Sequence, residues 1–258
     1  MRIGNAVDWL ETLINPLLAE PWDNVGLLLG DGELALNKAI FCIDATRAVV
    51  QDAARSGAQL LVAYHPPLFK GVKRFASTDP VYLAARAEIA IWSPHTAFDV
   101  APGGTNDVLA ELLSLKETTP LSVTAAPLGL GRVGNVAKAL SSAQIVDTLK
   151  RALGVSHVLV AREPGRAERD VTRIAVAAGS GADLIGAAVA SGAQALVTGE
   201  LRHHDALAAV SAGLDVYCVL HSNSERIAVS RLCDKARSAW TGVACEMSAL
   251  DVDPFVIR

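Results

Sequence analysis

Two side chains that bind metal ions, His221 and Glu225, lie four residues apart and directly after an apolar run at 216–220. The run is typical of a buried strand. If a helix starts near Ser222, the imidazole and the carboxylate share one face, because residues four apart are neighbours on a helix. Histidine and carboxylate together suit Zn, Fe, Mn or Ni. The spacing therefore predicts half of a metal site.

Two further apolar runs end in residues of the same chemical types. The run at 60–64 leads to His65, and the run at 89–92 leads to His95 and Asp99. In α/β sheets, ligands bind outside the carboxyl ends of the strands. For any one of these residues the alternative is capping or hydrogen bonding within a loop. Taken together, the candidate ligands of one shared metal site are His65, Asp99, His221 and Glu225.

Three other ring side chains allow two interpretations each. Tyr64 precedes His65, and neighbours in a strand point to opposite faces, so Tyr64 is either a core aromatic or a phenolate ligand that would favour iron. His203 and His204 are adjacent, and about 100° apart on a helix they do not suit one ion. They either begin a helix or serve substrate binding and proton transfer at its N-terminus.

The segment 129–134 (GLGRVG) matches the spacing of a dinucleotide-binding loop. Such a loop needs a strand before it and a helix that opens within it. The residues that follow, 135–140, lack a helical face, so the pattern favours a glycine-rich turn near an active-site cleft instead.

Composition limits the class of protein. The chain has 258 residues, 51% of them hydrophobic, and a formal net charge of −4. The acidic balance argues against a dedicated nucleic-acid binder, although a local basic patch at Lys70, Lys73 and Arg74 keeps that alternative open. Four cysteines without a CxxC pair fit a reducing cytoplasm. Acidic residues near the N-terminus argue against a signal peptide, and no apolar run is long enough for a membrane span.

Strand-like and helix-like segments alternate throughout, which predicts an α/β fold. A polar stretch at 115–123 suggests a lobe boundary. We expect a metal-binding α/β lobe from 1–122 plus 215–258, and a second α/β lobe from 123–214. Within these lobes we expect a helix at 78–87 capped by Ser77 or Thr78, and a helix at 107–114 capped by Asn106.

The chain resembles the NGG-interacting-factor-three-like family, also described as dinuclear metal-centre hexameric proteins, whose members often carry the label GTP cyclohydrolase I type 2. The resemblance covers nearly the whole chain. Its motifs are 22–27 (WDNVGL), 64–69 (YHPPLF), 93–99 (SPHTAFD), 129–134, 198–200 (TGE) with His203 and His204, His221 with Glu225, and 253–255 (DPF).

The resemblance implies two interlinked α/β lobes with a metal cleft between them, assembled as a toroidal homohexamer. By motif, it assigns the ligand role to His65, Asp99, His221 and Glu225. The usual bacterial pattern has His-His-Pro, and Tyr64 stands where the first of those histidines falls. This departure leaves open whether each chain binds one divalent ion or two.

The expected function is metal-dependent hydrolysis, because one or two bound ions lower the pKa of water. The candidate proton-transfer groups are His95, Glu200, His203 and His204. The family label implies a nucleotide or related heterocycle as substrate, although the site, not the label, decides the substrate. The alternatives are a non-catalytic metal carrier or insertion factor, and a ring-shaped scaffold that binds protein or nucleic acid.

Overall fold

The computed structural model describes residues 1–165 and 167–257, without the side chain of Ala125. The first half of the chain alternates helices and strands in this order: α1 (Ile3–Leu13), a short 3-10 helix (Pro16–Leu18), β1 (Gly26–Leu29), β2 (Lys38–Cys42), α2 (Arg47–Arg55), β3 (Leu60–Ala63), α3 (Pro80–Arg86), β4 (Ala90–Ser93), α4 (His95–Val100) and α5 (Thr105–Leu112). The predicted α/β class is confirmed.

The second half begins with strands and ends with alternating elements: β5 (Lys116–Thr119), β6 (Ser122–Ala125), β7 (Leu128–Leu130), β8 (Arg132–Leu140), α6 (Ser142–Leu153), β9 (Leu159–Ala161), β10 (Val171–Ser180), a 3-10 helix (Ala182–Leu184), α7 (Ile185–Ala190), β11 (Ala195–Glu200), α8 (His203–Ser211), β12 (Asp215–Cys218), α9 (His221–Ala239) and β13 (Ala244–Met247). None of the helices within the described ranges is long and apolar enough to cross a membrane.

The chain divides into two compact units. The first comprises Met1–Ala101 and Ala228–Pro254, and the second comprises Pro102–Ile227 with the last residues from Phe255 onward. The first unit contains a five-stranded sheet in the order β1-β4-β3-β2-β13. Strands β4, β3, β2 and β13 run parallel, and β1 pairs antiparallel with β4. Strand β3 is buried along its full length, as expected for a parallel strand covered on both faces.

The second unit contains a six-stranded sheet in the order β5-β8-β10-β11-β12-β9. Its centre is parallel, from β10 through β11 to β12, and β8 and β9 join as antiparallel neighbours. Its apolar core lies on the inward side chains of β10 and β11, among them Ile174, Val176 and Val197. The sheet thus fixes the carboxyl ends of β10, β11 and β12 next to one another.

Two predicted helix caps are wrong. Helix α3 begins at Pro80, and the Asp79 carboxylate accepts a hydrogen bond of 2.8 Å from the Val81 amide, in place of Ser77 or Thr78. Proline at the first helical position favours this start, because it has no amide hydrogen to satisfy there. Asn106 lies inside α5, where its side-chain oxygen accepts from the Ala178 amide at 2.9 Å.

The glycine motif forms a strand–turn–strand, not the strand–helix turn of a dinucleotide site. Strands β7 and β8 flank Gly131, whose φ of +62° suits glycine. The Arg132 guanidinium donates to the carbonyls of Gly129 and Gly131, at 2.7 and 2.8 Å. The motif therefore builds a tight turn pinned by a buried arginine, as expected for the turn alternative.

Candidate metal centre

Helix α9 begins with His221 and carries Glu225 one turn later, so the predicted shared face is confirmed. His221 Nε2 lies 3.2 Å from Glu225 Oε1. The Glu225 side chain is buried, with 2% of the residue exposed. Leu220, directly before the helix, has a φ of +70°, a conformation that is costly for a residue with a branched side chain. Strain at this point is typical of a backbone that positions a functional residue.

The other ring nitrogen of His221 faces a second carboxylate. Glu200, at the end of β11, places Oε1 3.1 Å from His221 Nδ1. A carboxylate on one imidazole nitrogen fixes the tautomer and leaves the lone pair of the other nitrogen available to a metal ion. The structure therefore places Glu200 as an orienting partner of His221.

Two glycines keep space around this pair. A Cβ at Gly179, whose φ is +63°, would stand 2.7 Å from Glu225 Oε1 and 3.2 Å from His221 Nε2. A Cβ at Gly199 would stand 2.9 Å from the His221 Cα. The Gly179 amide donates to Ser224 Oγ at 2.8 Å. At both positions only the glycine backbone lies next to His221 and Glu225, because a side chain there would clash with the pair.

The first unit orients His65 in the same way. His65 lies just after β3, and its Nδ1 is 2.9 Å from Oδ1 of Asp44, which lies two residues after the end of β2. The Asp251 carboxylate accepts the Ile43 amide at 2.7 Å and the Asp44 amide at 3.4 Å, which fixes the backbone of that strand end. With Nδ1 held by Asp44, His65 presents Nε2 as its ligand atom.

A crevice opens beside His65 in the first unit. Its volume is about 420 Å³, and its lining includes Asp44, Thr46, His65, Val252 and Pro254. Strand β2 has β3 on one side and β13 on the other. The chain continues from β2 to β3 and β4 on one side, whereas β13 lies on the other side of β2. Ligands of open α/β sheets bind in the crevice at such a switch in strand order.

The first unit also brings Tyr64 and Asp99 together. The Tyr64 hydroxyl donates to Asp99 Oδ1 at 2.7 Å. Tyr64 is almost completely buried, with 1% of the residue exposed. Its ring is therefore a core aromatic whose polar end reaches a carboxylate, and this contact joins two of the predicted ligand residues.

His95 has a buried carboxylate behind it. Its Nδ1 lies 2.8 Å from Asp23 Oδ1, and the Asp23 side chain is 0% exposed. Asp23 also accepts from the Thr96 amide at 3.1 Å and from the Thr96 hydroxyl. Burial pushes the pKa of Asp23 upward, but the hydrogen bonds and the charge of His95 outweigh it, so the pKa lies below its ordinary value. This arrangement is that of a base held by a carboxylate.

His203 and His204 begin α8, where both are exposed and their ring centroids are 5.2 Å apart. The structure places their rings against each other at a helix start. Their predicted role in proton transfer stays a prediction.

Among the described residues, His65 in the first unit and the His221–Glu225 pair in the second offer the donor atoms that a metal ion takes. The residues present fit such an ion. The donor types are those of Zn and other first-row metals, each histidine has a carboxylate on Nδ1, and Gly179 leaves room in front of the donor atoms.

Sequence reasoning missed two of the supporting carboxylates, Asp44 and Asp23. Asp44 lies two residues after the end of β2, so its position near a strand end was a usable signal. Asp23 lies 72 residues before His95 in a loop of turn-forming residues, and only the fold brings the two together.

The chain matches the family model Duf34/NIF3 (NGG1p interacting factor 3) over residues 1–254. It is 33% identical over 265 residues to NIF3-like protein 1 of Drosophila melanogaster, covering 99% of this chain and 89% of that protein. It is 29% identical to a GTP cyclohydrolase 1 type 2 homolog of Clostridium perfringens, covering 92% of each chain. The crystal structure of a Bacillus cereus protein related to NIF3 has the same fold, with a TM-score of 0.90 at 21% identity, covering 100% of this chain and 99% of that one. The chain therefore belongs to the DUF34/NIF3 family.

Proposed function

We propose that this protein is a metal-dependent hydrolase whose divalent ion is held by His65, His221 and Glu225. The observation that carries the proposal is the contact between His221 and Glu225, with Glu200 on the far ring nitrogen of the histidine. An ordinary surface ion pair has exposed side chains, whereas Glu225 is buried. Nor does an ion pair require a glycine beside it, whereas Gly179 leaves space next to both donor atoms. Tyr64 and Asp99 are the groups from which a second ion would draw ligands.

A divalent ion bound there would supply Lewis acidity and a water of lowered pKa. The chain's own residues supply orientation and proton transfer. Glu200 and Asp44 hold the Nδ1 atoms of His221 and His65. Asp23 holds Nδ1 of His95, so Nε2 of His95 is the atom that can accept or return a proton.

A purine nucleotide is the first substrate to test. Several curated relatives are named GTP cyclohydrolase 1 type 2 homolog, including those of Clostridium perfringens and a Nostoc species. A name shared across a family is weak evidence of a substrate, because function belongs to the site. We therefore extend the proposal to related heterocycles and phosphoesters.

We further propose that the ion draws ligands from both units and that the protein assembles as a toroidal homohexamer. The support for this is the family resemblance and the occurrence of ligand-type residues at strand ends in each unit. Native mass spectrometry would give the number of chains directly. A monomer that keeps its metal would separate the metal site from the assembly.

The test of activity is turnover by metal-loaded protein. Protein stripped with a chelator would be reloaded with Zn²⁺, Mn²⁺ or Fe²⁺, and the loss of GTP would be followed by chromatography. We expect turnover that His95→Gln reduces at least tenfold without changing metal content. Stoichiometric metal without turnover on GTP or other heterocycles would favour a metal carrier. Absence of both metal and turnover would favour a scaffold.

A further inference from the structure

We infer that Trp22, Phe69 and His95 form a stacking platform for a planar aromatic ring that carries a negative charge, an inference that rests on the proposed function. All three lie in the first unit. The ring centroids are 5.7 Å apart for Trp22 and Phe69, 6.1 Å for Trp22 and His95, and 6.2 Å for Phe69 and His95. The three rings meet edge to face, at 64°, 74° and 83°, so a ligand ring would stack on one of them and meet the edges of the other two. We call these three side chains the aromatic platform.

Two members of the platform, Trp22 and Phe69, are exposed although their side chains are apolar. Trp22 is 59% exposed and Phe69 is 42% exposed. Single exposed apolar side chains are ordinary, but contiguous ones mark binding sites. Exposed aromatic faces are the surfaces on which bases stack in proteins that bind single-stranded nucleic acids, because every base has a π-face.

The loops that carry the platform are held in place before any ligand binds. The Asn24 side-chain amide donates to the Leu68 carbonyl, which joins the Trp22 loop to the Phe69 loop. Asp23 binds His95 from behind at 2.8 Å. His95 itself has a φ of +30°, a strained conformation. A preorganised surface of this kind loses less entropy on binding than a mobile one.

The platform lies beside a candidate metal ligand. The His95 ring centroid is 5.5 Å from that of His65 and 5.8 Å from that of Tyr64. A ring stacked on the platform would therefore lie next to the face of the first unit that presents His65.

Charge selects the kind of aromatic ligand. Lys70, Lys73 and Arg74 follow Phe69 in the same loop, and all three are exposed. The chain as a whole has a net charge of −4, so these three cationic side chains form a local region of opposite charge. A phosphate or carboxylate attached to the ring would find its counter-charge here. The ligand class is thus an anionic heterocycle.

Tryptophan fluorescence tests the inference because the other tryptophans are less accessible. Trp92 and Trp240 are 1% and 2% exposed, and Trp9 is only partly exposed, with its ring packed against Trp240. The probe is guanosine 5′-monophosphate, compared with guanosine and with ribose 5-phosphate. We expect the monophosphate to quench Trp22, guanosine to bind more weakly, and ribose 5-phosphate to cause no quench.

Variants separate stacking from charge. Phe69→Ala should weaken binding of the monophosphate about tenfold, as expected for loss of one stacking ring. Phe75→Ala removes an exposed phenylalanine of the same loop that is not part of the platform. This control should leave the affinity for the monophosphate unchanged. A triple alanine variant of Lys70, Lys73 and Arg74 should weaken the monophosphate but not guanosine.

Two results would overturn the inference. One is equal affinity for the monophosphate in wild type and Phe69→Ala. The other is Trp22 shielded from acrylamide in the native assembly and exposed only on dissociation, which would assign the platform to contacts between copies. Metal content is read separately, so loss of the platform and loss of the metal site are distinguishable. If a His221→Ala/Glu225→Ala variant lacks metal but the monophosphate still quenches its Trp22 fluorescence, the platform binds its ligand independently of the metal site.

Discussion

His221 and Glu225 face each other across one turn of α9, with Nε2 3.2 Å from Oε1. Both atoms are electron-pair donors, so a shared proton or a shared cation must lie between them at such a distance. Glu200 engages the opposite nitrogen of the ring, and Gly179 keeps the space in front clear. This relationship is the reason to treat the helix start as half of a metal site.

Gly179→Ala should abolish metal binding. The new Cβ would stand 2.7 Å from Glu225 Oε1, too close for the carboxylate to keep its position. The matched control is Gly154→Ala, at a similar φ of +68° with nothing within 4 Å. Both variants should lose about 1–2 kcal/mol of stability from the left-handed backbone. Metal analysis should find the ion only in Gly154→Ala, and equal metal in the two variants would show that the space is not needed.

Glu200→Gln should weaken metal binding by about 10–100-fold, as is usual when a carboxylate behind a ligating histidine is lost. The fold should persist, because Glu200 is exposed. Competition with a coloured chelator would give the affinity. Glu168→Gln, which alters an exposed pair with Arg162 in the same unit, is the control and should leave the affinity unchanged. An unchanged affinity in Glu200→Gln as well would mean that Glu200 does not orient His221.

Asp23→Asn should reduce stability in a pH-dependent way. The folded pKa of Asp23 lies below its ordinary value, so its contribution is present above about pH 4 and is lost as the pH falls through the folded pKa. We expect a difference in the free energy of unfolding of about 1–3 kcal/mol at pH 7, shrinking in acid. Urea unfolding at several pH values measures it, with the exposed Asp52→Asn as control. A difference that is constant with pH would contradict the account.

Two thiols with raised pKa values, Cys218 and Cys233, predict a loss of stability in alkali. Burial raises the pKa of Cys218 to about 11, with the Glu200 charge adding to the shift, and burial likewise raises the pKa of Cys233 to about 11. A raised folded pKa gives stability that is full below about pH 8.5 and is lost as the pH rises toward 11. A Cys218→Ala/Cys233→Ala variant should show a shallower decline in unfolding free energy between those values. Parallel declines would contradict the prediction.

The sequence was most informative where chemistry and local structure coincide. The four-residue spacing of His221 and Glu225 predicted their shared helical face, because helical geometry alone decides it. The partners of the histidines could not be predicted with the same certainty. Glu200 lies 21 residues before His221, and Asp23 lies 72 residues before His95. Such pairs depend on which strands lie side by side, and spacing along the chain does not determine that order.

Helix-capping propensity gave the wrong residue at two helix starts. Ser77, Thr78 and Asp79 all have capping side chains, and Pro80 at the first helical position selects Asp79. Asn106 has a capping side chain but uses it on the Ala178 amide of a neighbouring strand. The Ala178 amide lies in a largely buried strand, where a backbone amide without a hydrogen bond is costly. This requirement comes from tertiary structure, so the local sequence around Asn106 does not reveal it.

The most direct test of the central claim is the metal content of the purified protein, measured by plasma mass spectrometry without a metal-affinity tag. Wild type and His221→Ala/Glu225→Ala would be compared. We expect one or two first-row divalent ions per chain in wild type and their loss in the variant. Two ions would show that Tyr64 permits a second site, and one would indicate a mononuclear centre. Wild type without metal after reloading, or a variant that keeps the same metal as wild type, would contradict the account.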